Sequence, residues 1–122
     1  MKRPTCEDLI RGDQERHDFN RIVGDIRRAR LFQIEKWGWE KQSHPDGTNP
    51  DAYGPLAEQA KARTNLAIKN DQVTWLDILL EEVYEAFAGK DWPESRDELV
   101  QSAAVIIEWI EDGDKRHDLR TL

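Results

Sequence analysis

Three glutamates, Glu82, Glu85 and Glu98, occupy positions where two helices of the stretch "TWLDILLEEVYEAFAGKDWPESRDELVQSAAVIIEWI" (74–110) should be oily. At about 100° per residue, Trp75, Leu76, Ile78, Leu79, Leu80, Val83 and Phe87 sweep one broad arc. Glu82 falls inside that arc, Glu85 sits at its edge beside Ile78, and Glu81 points outside it. On the second helix Leu99, Val100, Ala103, Ile106, Ile107 and Ile110 form the main stripe, extended by Val105 and Trp109, with Glu98 between those last two. Gln101 projects from the stripe's polar border, while Glu94 and Asp97 point outward. Glu85 precedes Gly89 by four residues and Glu98 follows Pro93 by five, so antiparallel packing at about 1.5 Å rise per residue brings them to similar depth. Ionised carboxylates gathered in a low-dielectric seam cost several kcal/mol each unless a positive charge joins them. The partner is either a basic side chain or a metal. Mg²⁺ suits oxygen ligands, and Glu-x-x-Glu aligns two of them one turn apart.

Helices have to carry these groups. Thr74 with Asp77 resembles a capping box, Gly89 stands where a helix commonly ends, and Pro93 with Glu94 suits the first turn of the next. Helices are therefore expected over about 75–88 and from Pro93 to about Asp112, before Gly113. Upstream, Phe19, Ile22, Val23, Ile26, Ala29 and Trp37 recur at three- and four-residue steps, predicting a helix over about 13–36. "CEDLIRG" is too brief to decide whether structure begins earlier. "GWEKQSHPDGTNPDAYGP" carries too many prolines and glycines for a regular element, so 38–55 is expected to be a long loop. His44 and Asp46 there lack the spacing of a calcium loop and read as turn residues. A further helix is expected over about 56–70, where Ala57, Ala60 and Ala67 would permit close helix contact. No strand alternation or repeat appears, and the tail from 114 reads as a solvated end. An all-α, four-helix-bundle-type fold in one domain over 1–122 follows.

Two basic or amide groups share the stripe of the first helix, Arg30 and Gln33, and Arg63 falls between Leu56 and Leu66 on the second. They could form internal salt bridges with the glutamates or grip a polyphosphate and a base. Trp37 could stack on a nucleobase or serve as plain core.

The totals narrow the classes. A chain of 122 residues has room for one modest core, which makes self-association plausible. A net charge of -7 argues against a nucleic-acid duplex as partner. Cys6 is the only cysteine, so neither an intrachain disulfide nor a cysteine zinc cluster can form, and a reducing cytoplasm fits. No apolar run reaches membrane-spanning or signal-peptide length. A ferritin-like di-iron centre wants Glu-x-x-His pairs, and His17, His44 and His117 lie elsewhere.

"RARLFQIEKWG", "KQSHPDGT", "TWLDILLEEVYEA" and "RDELVQSAAVIIEWIE" together resemble the MazG-like, all-α nucleoside triphosphate pyrophosphohydrolases, including short members carried by phages and actinobacteria. The likeness spans most of 27–111 and is more specific in its second half. It implies that Glu82 and Glu85 of an E-E-x-x-E motif, with Glu98 and its partner one turn on, hold Mg²⁺ or its substitute Mn²⁺, and that Glu81 orients the attacking water. It further implies a nucleoside triphosphate substrate, cleavage between the α and β phosphates, and a homodimer or homotetramer; Arg30, Gln33, Lys36, Trp37 and Arg63 are the candidates for substrate contact. Gln101 occupies the position where the family's second motif closes on an aspartate; its oxygen can ligate a metal without adding charge. That departure leaves nucleotide binding without hydrolysis as the alternative. The other is a helical interaction module built on buried Glu–Arg pairs.

Overall fold

The computed structural model describes residues 3, 5–40 and 43–119. It is all-α: four helices, α1 (Cys6–Trp37), α2 (Pro50–Lys69), α3 (Trp75–Phe87) and α4 (Trp92–Arg116), with no strand among the described residues. None of these helices is long and apolar enough to cross a membrane. The chain divides into two compact units, one formed by 1–44 with 110–122 and the other by 45–109.

In the first unit α1 starts earlier than the apolar spacing alone indicates. Thr5 and Asp8 make a reciprocal capping box, Thr5 Oγ1 accepting from the Asp8 amide at 3.0 Å and Asp8 Oδ2 from the Thr5 amide at 2.9 Å. Those two bonds satisfy orphan donors and let the helix begin at Cys6. The Thr5 hydrogen bonds also hold the Asp8 carboxyl below its ordinary range. Only Asp18, Ile22 and Ile34 of α1 are buried. Phe19, Val23, Ile26 and Trp37, the expected core stripe, remain 39–55% exposed. Arg21 reaches Asp114 at 2.7 Å and ties α1 to the last turns of α4. That contact, together with an Arg116–Asp112 pair at 3.0 Å and two cations at the negative end of the dipole, carries α4 through Gly113 instead of stopping before it.

In the second unit α2 begins at Pro50, six residues ahead of the expected start, which shortens the anticipated 38–55 loop. Asn49 caps it through the Ala52 amide at 3.0 Å, and Pro50, with φ already helical and no N–H to satisfy, occupies the first position. The Asn49 amide also donates to the Phe87 carbonyl at 2.8 Å, so one residue seals the start of α2 and the end of α3. Just upstream, Asp46 Oδ1 accepts from both the amide and the hydroxyl of Thr48 at 3.0 Å, a turn around Gly47 at φ 74°. Buried Ala57, Ala60 and Thr64 let α2 lie close against α3, and Thr64 Oγ1 donates to the Asp77 carbonyl at 3.1 Å.

The α3–α4 connection is tight. A Cβ on Gly89 would collide with Ser95 Oγ and come 3.1 Å from Ser95 Cα, so glycine is required here for close approach and not for backbone conformation. Asp91 Oδ1 then accepts from the Glu94 amide at 2.9 Å and opens α4. Packing differs from the wheel expectation. On α4 the buried residues are Ser95 and Ser102, while Leu99, Val100 and Ile106 stay 41–54% exposed. At the turn itself Ser95 takes the near side because the close approach of Gly89 leaves no room for a larger residue.

Candidate metal centre

The three seam glutamates are delivered by two separately anchored helices, Glu82 and Glu85 by α3 and Glu98 by α4. Thr74 starts α3, its Oγ1 accepting from the Asp77 amide at 3.2 Å and its own amide donating to Asp77 Oδ2 at 3.1 Å. Two turns on come Glu81, Glu82 and Glu85. On α4, Ser102 donates to the Glu98 carbonyl at 2.9 Å, securing the turn from which Glu98 projects. One carboxylate oxygen from each of Glu82, Glu85 and Glu98 lies within 4.8 Å of the others. All three residues are half-buried.

The electrostatics of this cluster are unfavourable as it stands. Glu82 Oε2 and Glu98 Oε2 are buried with no hydrogen-bond partner. Burial pushes the Glu82 carboxyl up, reinforced by the charges of Glu98 and Glu81. Glu85 is pushed up to about 7, first by burial, then by a shared hydrogen bond with Glu98 and by the charges of Glu98, Glu82 and Glu81. A hydrogen bond between two carboxyl groups exists only if one of them carries a proton. Deprotonated, the same oxygens are lone pairs facing lone pairs, which is why two of them find no partner in the ionised state. A proton or a cation relieves that repulsion.

The donor set fits a small hard cation. Three carboxylates supply only oxygen, and two of the oxygens have no other use. Oxygens within 4.8 Å of one another are close enough for a single small cation to be reached by all three carboxylates. Glu82, Glu85 and Glu98 would hold such an ion, and water would complete its coordination.

The other sequence candidates fall in different places. Glu81 is half-buried beside the cluster, near enough for its charge to raise both α3 glutamates, but outside the convergent trio. Gln101, one turn after Glu98, is exposed. Arg63 pairs through Nε with Asp77 Oδ1 at 3.2 Å, so the guanidinium meets the capping aspartate and not a seam glutamate. Arg30, Gln33, Lys36 and Trp37 belong to the other compact unit and are all exposed, in contrast to the interior position their wheel suggests. Lys36 Nζ lies 4.9 Å from the Trp37 ring centroid. The wheel misled there because the whole apolar stripe of α1 is itself largely uncovered.

Sequence reasoning recognised Asp77 as a cap but missed its second duty. A capping carboxylate has a spare oxygen, and Arg63 uses it. Ser95 was missed too; the only signal was a glycine shortly before a helix start, which does not say what approaches it.

Comparison of the chain with protein-family models, with characterised proteins and with solved structures found no match.

Proposed function

We propose that this protein is a Mg²⁺-dependent nucleoside triphosphate pyrophosphohydrolase of the MazG-like kind, cleaving between the α and β phosphates to leave a nucleoside monophosphate and pyrophosphate. The observation that carries the reading is the convergence of Glu82, Glu85 and Glu98 within 4.8 Å, with two buried oxygens left unpartnered. A bound divalent ion supplies charge neutralisation at the phosphate oxygens and a water acidic enough to lose its proton near neutral pH. The chain's own part is positional. Glu82, Glu85 and Glu98 fix where the cation and therefore the scissile phosphate sit, and their half-buried setting thins the water around that point. Glu81 stands beside them, uncommitted to the trio, and is the group to receive the proton of the attacking water. Mn²⁺ has the same oxygen preference and is expected to substitute.

The carboxylates alone would repel a triphosphate. Activity is thus expected to vanish without divalent metal. A panel of nucleoside triphosphates incubated with and without Mg²⁺, scored for monophosphate and pyrophosphate, tests the proposal; product that forms equally in a chelator, or from no candidate at all, overturns it.

A second reading, metal-dependent nucleotide binding without hydrolysis, is favoured by one feature, the exposed Gln101 in place of a fourth carboxylate. Saturable nucleotide binding that needs Mg²⁺ but releases no pyrophosphate would select it. Self-association into a homodimer or homotetramer belongs to the same proposal. It is supported by the large apolar side chains left open on single helices, among them Trp92, Leu99, Val100 and Ile106 at 41–58% exposure. Light scattering coupled to gel filtration would show a monomer if this part is wrong.

A further inference from the structure

A second concave feature lies in the 45–109 unit, where α2 meets α3. It is a cleft of about 210 Å³ lined by Leu56, Gln59, Ala60, Arg63, Leu80 and Tyr84. At about 30 Å³ per liquid water, that is room for roughly seven waters, the size of one ring with a small substituent. Leu80 and Tyr84 leave α3 about 100–160° around its axis from Glu82 and Glu85, so the cleft and the carboxylate cluster open on different sides of the helix.

Its walls and its polar groups are held in place by neighbours. Leu56, Leu80 and the buried Ala60 give apolar sides, and the short Ala60 side chain leaves the floor open. The Tyr84 ring is set edge-on against Phe87 at 6.0 Å, and Phe87 in turn against Tyr53 at 5.3 Å, which fixes the aromatic wall. Arg63 is anchored by its inner nitrogen. Nε meets Asp77 Oδ1 at 3.2 Å, and Asp77, 7% exposed, is itself fastened by the amide and hydroxyl of Thr74. The side chain as a whole is 66% exposed, which opens its outer edge to the cleft mouth. An arginine paired on its inner side can offer its terminal N–H groups outward, a pair of donors matched to the two oxygens of a carboxylate. Asp77 cancels part of the local positive charge, and the chain carries -7 overall, so a monoanion is favoured over a dianion.

We propose that this cleft binds a small planar monocarboxylate, an aromatic acid whose ring lies between Leu56 and Leu80 against Tyr84, with its carboxylate on the outer edge of Arg63 and within reach of the Gln59 amide. The site is independent of the nucleotide reading and needs no divalent ion.

Benzoate is the probe. Titrated into the ¹⁵N-labelled full chain in a chelating buffer, it should give saturable amide shifts confined to 56–63 and 80–84. Benzamide, the same ring without charge, should bind at least about tenfold more weakly, and phenyl phosphate should bind no better than benzoate. Arg63→Gln should lower benzoate affinity to the benzamide level. Arg63→Lys, which keeps the charge but not the fork, should fall in between and serves if the glutamine variant loses its fold. Gln59→Trp, at an exposed position, should fill the mouth and weaken both ligands. Shifts that do not saturate or that spread over the protein, equal binding of benzoate and benzamide, tighter binding of phenyl phosphate, or indifference to Arg63→Gln and Arg63→Lys would each overturn the proposal.

Discussion

Polar residues set in an oily stripe occur both on α3 and on α1, and the two helices treat them in opposite ways. On α3, Glu82 and Glu85 meet Glu98 of α4 in a half-buried cluster. On α1, Arg30 and Gln33 occupy an equivalent wheel position yet are exposed, along with most of the stripe around them. A helical wheel yields a direction, and only a neighbouring helix makes that direction an interior. Through α2 beside it and the Gly89–Ser95 turn that brings α4 back, the short α3 meets a neighbour on two sides. Helix α1, 32 residues long, buries only three.

The contrast is broken most forcefully at the carboxylates. Glu98→Gln or Glu82→Gln is expected to lower Mg²⁺-dependent pyrophosphate release at least about 10²-fold, some 2.7 kcal/mol of barrier. Each should also raise the melting temperature of the metal-free protein at pH 8, because a repelled charge is removed. Arg30→Gln on α1, an exposed site, should move stability by less than about 0.5 kcal/mol. Activity assays and thermal melts in a chelator check both halves; a metal-free protein destabilised by Glu82→Gln would contradict the repulsion.

Glycines sharpen the same comparison. Gly89→Ala drives a methyl into Ser95 and is expected to cost about 1–3 kcal/mol. Gly12→Ala on α1 meets nothing within 4 Å and should stabilise by about 0.5–1 kcal/mol. Denaturant unfolding distinguishes them by sign.

Acidity separates the regions next. Glu85 is held near 7 in the folded chain against an ordinary 4.5, so the folded state binds more protons between those values. Its contribution is fully present below about pH 4.5 and is lost as the pH rises through 7, which predicts a metal-free melting temperature that declines over that window. Mg²⁺ has to displace the proton, so its stabilising effect should be larger at pH 8 than at pH 5. A flat profile, or an Mg²⁺ shift that is greater at pH 5, would contradict the coupling.

The smallest effect concerns one motif used twice. Thr74→Ala removes a cap whose buried aspartate partner also holds Arg63 and should cost about 1–2 kcal/mol. Thr5→Ala removes the matching cap from an exposed helix end and should cost about 0.5 kcal/mol. Chemical denaturation of the two variants would show equal losses if tertiary setting had no influence.

Much of this architecture was legible beforehand. Thr74, Asp77, Gly89 and Pro93 bracket α3 and the start of α4 because capping and chain-breaking are local effects, settled within four residues. The starts of α1 and α2 lie ahead of where periodicity puts them because Thr5 and Asn49 precede segments without clear apolar periodicity, and Gly54–Pro55 reads as a break although the Asn49–Pro50 start carries the helix past it. The glutamate trio was legible because hairpin register and helical phase agree on it. The Arg63–Asp77 pair and the α2–α3 cleft were not, since both depend on the rotation of α2 about its axis, for which the chain holds no local record.

By itself the sequence determined the helical content, the hairpin register of α3 and α4, and the pointing of Glu82, Glu85 and Glu98 toward a common seam, all consequences of short-range periodicity and of a turn too short to permit another pairing. Tertiary structure decided which apolar faces are covered, that Ser95 and Ser102 rather than Leu99 and Ile106 take the inside of α4, and that two glutamate oxygens end without a partner. Burial is a property of what a second surface leaves accessible, and no single helix carries that information.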